Sequence, residues 1–295
     1  MSKIVFFCIP AHGHTNPTLG VVRELIKRGH EVWYYSYDSM REKIEGAGAK
    51  FVSCDEYDPQ TKLSADDGER IGKDLAFSTN LIVDMTLALD DAIIKDMTDL
   101  QPYAETFSDK YAFVGASIRP ITEPMEKTDI PTVYVSLGTV INQRREFFKN
   151  CIEALGNRAY RVIMSVGEYT DISSFGELPE NIQVVSKVDQ MAVLAVADIF
   201  ITHCGMNSVN EALYFGVPMI LVPQTPEQSG VAYRTREVGA GLPLENNEVQ
   251  TIRDAVGTLL RDETYKRAAE QLSDAFHSLK GAVAAADVIE NVIVK

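Results

Sequence analysis

The chain lacks several patterns that mark common protein classes. Its 295 residues contain no Gly-x-Gly-x-x-Gly after the first apolar run, which disfavours a Rossmann dehydrogenase. The four cysteines stand singly without Cys-x-x-Cys spacing, as do reduced thiols in cytosolic proteins. The apolar start at residues 1–9 is too short for a membrane span and lacks a signal-peptide cleavage pattern. We therefore expect a soluble, cytoplasmic protein that does not bind membranes.

Basic residues are also scarce and scattered. The chain has 28 Lys and Arg against 42 Asp and Glu, a formal net charge of −14, and no Lys/Arg cluster. Nucleic acid and anionic membranes are therefore poor partners. The apolar content of 45% is enough to build one large or two ordinary domains.

The first half of the chain has the alternation of a doubly wound α/β domain. Lys3–Ile9 is a continuous apolar run, which predicts a parallel strand buried on both faces. A loop follows, and Asn16 with Pro17 is typical of a helix N-cap and first helical position. Further elements predicted here are strands at Glu31–Tyr35, near residues 51–52 and at Tyr111–Gly115, a helix at about 39–45, and an amphipathic helix over residues 81–100.

A second α/β series begins at Thr132, after a proline-rich linker at residues 119–131. Two Rossmann-like domains facing across a cleft are the simplest interpretation. The predicted boundaries are an N-terminal domain over residues 1–118, the linker, a C-terminal domain over 132–280, and a last helix at 281–295 that packs back on the N-terminal domain. The N-terminal domain is short for a doubly wound sheet.

The segment ITHCGMNSVNE at residues 201–211 has the form of an anion site after a parallel strand. A strand ends at His203, Gly205 allows close backbone approach, and a helix begins at about Asn207. Free N–H groups at that helix terminus suit a phosphate, and Glu211 is placed to accept both hydroxyls of a ribose. The structural alternative is an ordinary strand-to-helix turn, which also uses glycine and a capping Asn or Ser.

The spacing His-x-Gly-x-Asn-Ser-x-x-Glu resembles the donor signature of family 1 UDP-glycosyltransferases, which have the GT-B fold. Three further segments, VSLGT, KVDQ and TPEQ, are similar to that family in order and spacing. Lys187 and Asp189 depart from it, since the family often has a stacking Trp and commonly a Pro at those places. The resemblance implies UDP-sugar binding by Ser136, Gly138, Thr139, Val188, Gln190, His203, Gly205, Met206, Asn207, Ser208, Glu211, Glu227 and Gln228.

The N-terminal segment IPAHGHTNPTLG resembles bacterial macrolide- and flavonoid-type glycosyltransferases. The resemblance implies that His14 is the general base that deprotonates an acceptor hydroxyl, with His12 as second choice. The alternative is that both histidines only form hydrogen bonds in a polar turn. The implied reaction is a direct displacement, with inversion, of UDP by a small hydrophobic hydroxylated acceptor. UDP-glucose is the default donor, and no metal or other cofactor is expected.

The resemblance is incomplete in the N-terminal domain. The family orients its His base with an Asp after a mid-domain strand, but this chain passes directly from helix 81–100 to a later family segment near residue 101. We assign none of Asp84, Asp91, Asp96 and Asp99 to that role, because a charged helix face explains them. A non-catalytic UDP-sugar-binding protein remains an alternative. A UDP-sugar epimerase or lipid-linked-sugar transferase of the same fold is a weaker one.

Overall fold

A computed structural model describes residues 1–8, 12–55, 92–94, 111–121, 123–139 and 141–294. These residues form two compact units. The first unit holds the described residues of 1–118 together with 280–294, and the second unit holds those of 119–279. Both units are α/β with parallel sheets, as the sequence predicts. No helix within the described ranges is long and apolar enough to cross a membrane.

The first unit contains two small parallel sheets. One has the strand order β1–β2–β3, and the other pairs β4 with β5. The elements of this unit are β1 (Lys3–Phe7), α1 (His12–Lys27), β2 (Glu31–Ser36), a 3-10 turn (Asp38–Met40), α2 (Arg41–Glu45), β3 (Lys50–Ser53), β4 (Ala92–Ile94), β5 (Tyr111–Phe113) and the C-terminal helix (Ala282–Val294).

Strand β1 is not buried on both faces, contrary to the sequence prediction. Ile4 and Phe6 pack on the core of the first unit, whereas Val5 is 49% and Phe7 76% exposed. Among the described residues β1 pairs with β2 alone. An apolar run becomes a fully buried strand only when neighbours cover both faces. No element within the described ranges covers the face of β1 that carries Val5 and Phe7.

Helix α1 begins earlier than the sequence predicts. It starts at His12, so Asn16 and Pro17 lie inside it instead of capping it. The Asn16 side chain accepts a hydrogen bond from Lys43 at 3.3 Å, and Thr18 donates its hydroxyl to the Thr15 carbonyl at 2.8 Å. The early start moves His14 from the predicted loop into the first helical turn.

The predicted helix over residues 81–100 is wrong at its centre. Ala92–Ile94 is a strand, paired in parallel with Tyr111–Phe113. Two β-branched isoleucines favour an extended backbone, and the cross-strand pairing overrides the helical spacing of the surrounding apolar residues. The remainder of that prediction lies outside the described residues.

The C-terminal helix packs against α1 in the first unit. Ala286 is fully buried in the core of this unit, and Ile289 packs against it. Arg28 at the end of α1 joins the two helices, since one nitrogen of its guanidinium lies 2.7 Å from both Asp287 and Glu290. The C-terminal helix thus contributes to the core of the first unit.

The second unit is a six-stranded parallel sheet with helices. Its strands are ordered β11–β10–β9–β6–β7–β8. Its elements are β6 (Thr132–Ser136), α3 (Arg145–Leu155), β7 (Arg161–Ser165), a 3-10 turn (Ile172–Phe175), β8 (Ile182–Val185), α4 (Gln190–Leu194), β9 (Ile199–Thr202), α5 (Met206–Tyr214), β10 (Met219–Leu221), α6 (Pro226–Glu237), β11 (Gly241–Pro243), α7 (Val249–Arg261) and α8 (Glu263–Ser278).

The winding of this sheet defines where a ligand fits. The chain runs outward from β6 to β8 and then returns to β9 on the other side of β6. Loops at the carboxyl ends of β6 and β9 therefore diverge, and ligands of such sheets bind in the crevice between them. Every residue of β6 is buried, and Tyr134 stacks on Phe200 with ring centroids 4.7 Å apart. The loops that form the crevice therefore extend from two buried and closely packed strands, β6 and β9.

Candidate donor site

The residues predicted to bind a sugar nucleotide follow four strands of the second unit, always at the carboxyl end. They come after β6, β8, β9 and β10, which brings them to one edge of the parallel sheet. In chain order these are Ser136, Gly138 and Thr139; Val188 and Gln190; His203, Gly205, Met206, Asn207, Ser208 and Glu211; and Glu227 and Gln228.

The His203 ring lies between two glycines at the point where the winding reverses. A methyl group at Gly138 would lie 2.6 Å from Cε1 of this ring, and one at Gly205 would lie 2.6 Å from Nε2. Gly138 also has φ +77°, and its carbonyl accepts a hydrogen bond from Asn142 at 2.9 Å. Both glycines are needed because any side chain there would displace the histidine.

His203 is electrically neutral at physiological pH. Burial, opposed in part by the backbone at Ser136, lowers the pKa of its imidazole to about 4. Its Nδ1 atom is buried and has no hydrogen-bond partner among the described residues. A buried polar atom without a partner is unfavourable unless a ligand or water satisfies it. The ring is thus suited to form one hydrogen bond with a bound group, either as donor or as acceptor.

Helix α5 begins one residue earlier than predicted. Its N-cap is Gly205, which has no side chain to cap it, and the first helical hydrogen bond runs from Val209 N to the Gly205 carbonyl at 3.0 Å. The N–H groups of Met206 and Ser208 therefore have no acceptor within the helix. Cys204 precedes this turn with φ +64°, a conformation that non-glycine residues rarely adopt and that is common at ligand sites.

Gln190 connects two helices of the site. Its amide nitrogen donates to Glu211 Oε2 at 2.6 Å and to Ser208 Oγ at 3.3 Å, while its oxygen accepts from Tyr134 at 3.2 Å. Burial raises the pKa of Glu211, and this hydrogen bond and the charge of Arg119 oppose the rise. Glu211 is thus a half-buried carboxylate held in a fixed orientation at the crevice.

Asp189 has a structural role that the sequence analysis does not assign. It is the N-cap of α4, and its carboxylate accepts from Met191 N at 3.0 Å and Ala192 N at 3.4 Å. An Asp directly before a helix is itself a capping signal, so the departure from the family proline was readable as a cap. The hydrogen bond from Tyr134 to Gln190 had no comparable signal, because tertiary packing alone brings the two together.

The TPEQ segment forms the first turn of α6. Thr225 is the N-cap and accepts from Gln228 N at 3.3 Å, while the Gln228 side-chain oxygen accepts from Gln224 N at 2.8 Å. Glu227 is exposed to solvent. No described residue accepts a hydrogen bond from the Gln228 side-chain nitrogen. Thr139 is exposed and Val188 half-buried beside the same edge of the sheet.

His14 belongs to the first unit. It is exposed on the first turn of α1, and no described residue forms a hydrogen bond with its ring. The side chain of His12 lies outside the described part of the structure, as do the four aspartates of residues 84–99. Among the described residues, no three His, Cys, Asp or Glu side chains are grouped as metal ligands.

Sequence comparison matches residues 119–280 to the family model "UDP-glucoronosyl and UDP-glucosyl transferase". The chain is also 30% identical to the NDP-glycosyltransferase YjiC of Bacillus licheniformis, with 97% of this chain and 96% of the relative covered. That alignment runs over 382 positions although the chain has 295 residues. The relative therefore carries a stretch that this sequence lacks, as expected if part of the N-terminal domain is missing from it.

Solved structures give the same fold. The calicheamicin glycosyltransferase CalG4 superposes with a TM-score of 0.79 at 24% identity, covering 99% of this chain and 98% of that one. The spinosyn rhamnosyltransferase SpnG, solved with thymidine diphosphate, gives a TM-score of 0.72 at 16% identity, covering 98% and 100%. These likenesses confirm the GT-B class of fold for this chain.

Proposed function

The chain belongs to the UDP-glucoronosyl and UDP-glucosyl transferase family, and we propose that it transfers glucose from UDP-glucose to a hydroxyl of a small hydrophobic acceptor. The family supplies the reaction class, the transfer of a sugar from a nucleotide-sugar donor. The choice of UDP, of glucose, and of a macrolide- or flavonoid-like acceptor is ours. The cytoplasm is the compartment where we expect the reaction to take place.

The donor assignment depends chiefly on His203 between Gly138 and Gly205. A diphosphate in this crevice meets the unpaired Nδ1 of His203, the N–H groups that begin α5, and its positive dipole end. Glu211 lies one turn further along α5, and Gln190 at the start of α4 donates a hydrogen bond to it, so the two side chains suit the ribose hydroxyls. The remaining donor residues complete the proposed site, with Glu227 and Gln228 on the sugar and Val188 beside the base.

The proposed chemistry is a single displacement. His14 accepts the proton of the acceptor hydroxyl, whose oxygen then bonds to the anomeric carbon of the sugar from the face opposite UDP. The bond between that carbon and the diphosphate oxygen breaks, and UDP leaves with the electron pair. The product therefore has inverted anomeric configuration. The N–H groups at α5 and the His203 ring stabilise the charge of UDP, and on this ground we propose a metal-independent reaction.

The test is UDP release from UDP-glucose with a flavonoid or a macrolide acceptor. Removal of a general base slows such a step by about 10²- to 10⁴-fold, and we expect that loss for His14→Ala. His277→Ala is a matched control, since His277 is also exposed but lies on α8. Tight UDP binding without turnover, equal in the native chain and in His14→Ala, would instead favour the non-catalytic alternative.

A further inference from the structure

Arg119 holds Asp189 through both carboxylate oxygens. Its Nη1 donates to Oδ2 at 3.1 Å, and its Nη2 donates to Oδ1. The planar guanidinium matches a carboxylate in this two-point geometry, which fixes direction as well as distance. Burial alone raises the pKa of Asp189, but Arg119 and the capped N–H groups outweigh it and leave the pKa below its ordinary value. The pair is therefore ionised and oriented.

The same carboxylate fixes the start of helix α4. Oδ1 of Asp189 accepts hydrogen bonds from Met191 N and Ala192 N, two first-turn donors that have no acceptor within the helix. Gln190 is the first residue of that helix, so its backbone position follows from the cap. A helix of five residues has little stability of its own. Contacts at its ends, here from Arg119 through Asp189, decide where Gln190 sits.

Gln190 connects the capped start of α4 to Glu211 through the hydrogen bond of its side-chain amide. Tyr134 holds its oxygen, which turns its amide nitrogen toward Glu211 Oε2. Arg119 and Asp189 also act on Glu211 by charge, the first favouring its ionised form and the second opposing it. The other titratable group facing it is the buried hydroxyl of Tyr134. The position and the charge of Glu211 thus both depend on Arg119 and Asp189, to which the proposed reaction assigns no role.

We propose that Arg119 and Asp189 are positioning residues of the donor site, which hold the Gln190 and Glu211 side chains ready for the ribose of the nucleotide. This inference rests on the proposed function, since it takes a nucleoside diphosphate as the ligand. Neither residue is proposed to touch the ligand. Arg119 acts through Asp189 and through its charge, and Asp189 acts through the helix it caps.

The first experiment is UDP binding by titration calorimetry with the full chain. We expect Arg119→Ala to weaken UDP binding by about threefold to tenfold. A loss of this size corresponds to the interaction free energy of a partly exposed ion pair with two hydrogen bonds. Arg119→Lys keeps the charge and should recover part of that loss. The matched control is Lys127→Ala. Lys127 also pairs from the linker with an aspartate, Asp198, but at the amino end of β9, opposite the crevice.

A pH series separates positioning from a general loss of structure. In this proposal the ribose hydroxyls donate to the carboxylate of Glu211. The pH below which UDP binding weakens therefore follows the pKa of Glu211. Removal of the cation in Arg119→Ala raises this pKa and moves the limit to higher pH. Removal of the anion in Asp189→Asn, which keeps a capping oxygen, moves it to lower pH. The phosphates of UDP titrate alike in all variants, so the difference between variants reports on the protein.

The outcomes are distinct. If the native chain binds no UDP, the proposed function fails, whatever the variants do. If the native chain binds UDP and Arg119→Ala matches Lys127→Ala at every pH, the positioning inference is overturned. Opposite shifts for the two variants, and a double variant whose loss is less than the product of the single losses, would support it.

Discussion

The first strands of the two units, β1 and β6, are both short, apolar and parallel to their neighbours, yet they differ in burial. β6 lies between β7 and β9, and all five of its residues are buried. β1 pairs with β2 alone among the described residues, and its alternate side chains are exposed. The comparison shows that neighbours, more than composition, decide whether such a strand forms core or surface.

The residues proposed to bind the donor and the residue proposed to activate the acceptor also differ in how many neighbours support them. The crevice of the second unit has fixed contacts around His203 and Gln190. His14 in the first unit is exposed and has no hydrogen-bond partner among the described residues. Residues of the proposed donor site therefore hold one another in place, whereas no described residue holds the His14 ring. Variants in each unit test that contrast.

The largest effect is expected from Gly138→Ala. The new methyl group would lie 2.6 Å from the His203 ring, on a backbone with φ +77°. We expect UDP affinity to fall by about 100-fold, because the histidine must leave the crevice. Gly176→Ala is the control, since it has φ +74° and open space around it. Equal calorimetric affinities for the two variants would show that the crevice tolerates the methyl group.

The next effect concerns stability. Val135 in β6 is fully buried and Val5 in β1 is 49% exposed, so the two valines differ in environment and not in chemistry. We expect Val135→Ala to lower the free energy of unfolding by about 2 kcal/mol, through lost packing and a cavity, and Val5→Ala to lower it by less than about 0.5 kcal/mol. Urea unfolding followed by circular dichroism measures both. A similar loss at Val5 would mean that β1 is covered in solution.

An effect on stability that is confined to acidic pH is expected from the protonation of His203. Its pKa is about 4 in the folded chain and 6.5 when exposed, so between these values the unfolded chain binds more protons. The free energy of unfolding should therefore fall as the pH drops from 6.5 to 4, by about 2–3 kcal/mol from this residue. His203→Gln should show a flatter profile in that window. Parallel profiles for the two proteins would contradict the buried, neutral state.

Sequence reasoning succeeded where local physics decides the structure. The strand-to-helix turn around His203 could be predicted, because the glycines beside it mark where the backbone needs conformations that other residues rarely adopt. The predicted residues consequently lie at one edge of the sheet. The contacts among them, such as Gln190 with Glu211, depend on the distance between two helices and were not readable from spacing.

Sequence reasoning failed where distant partners decide. The helix predicted over residues 81–100 contains the strand Ala92–Ile94, because pairing with β5 outweighs a helical pattern. Helix α1 begins at His12 although Asn16 and Pro17 are typical of a start. Strand β11 has no clear signal in the sequence, because its three residues, Gly, Leu and Pro, have little strand character.

The return of the C-terminal helix to the first unit has a consequence for synthesis on the ribosome. Ala286 is in the core of that unit, so the core is complete only after residues 119–279 have been made. Residues 119–279 follow one another without interruption, and the second unit has its whole core in the growing chain before then. Domains generally fold as units during synthesis. We therefore expect the second unit to finish folding before the first unit, whose core still lacks the C-terminal helix.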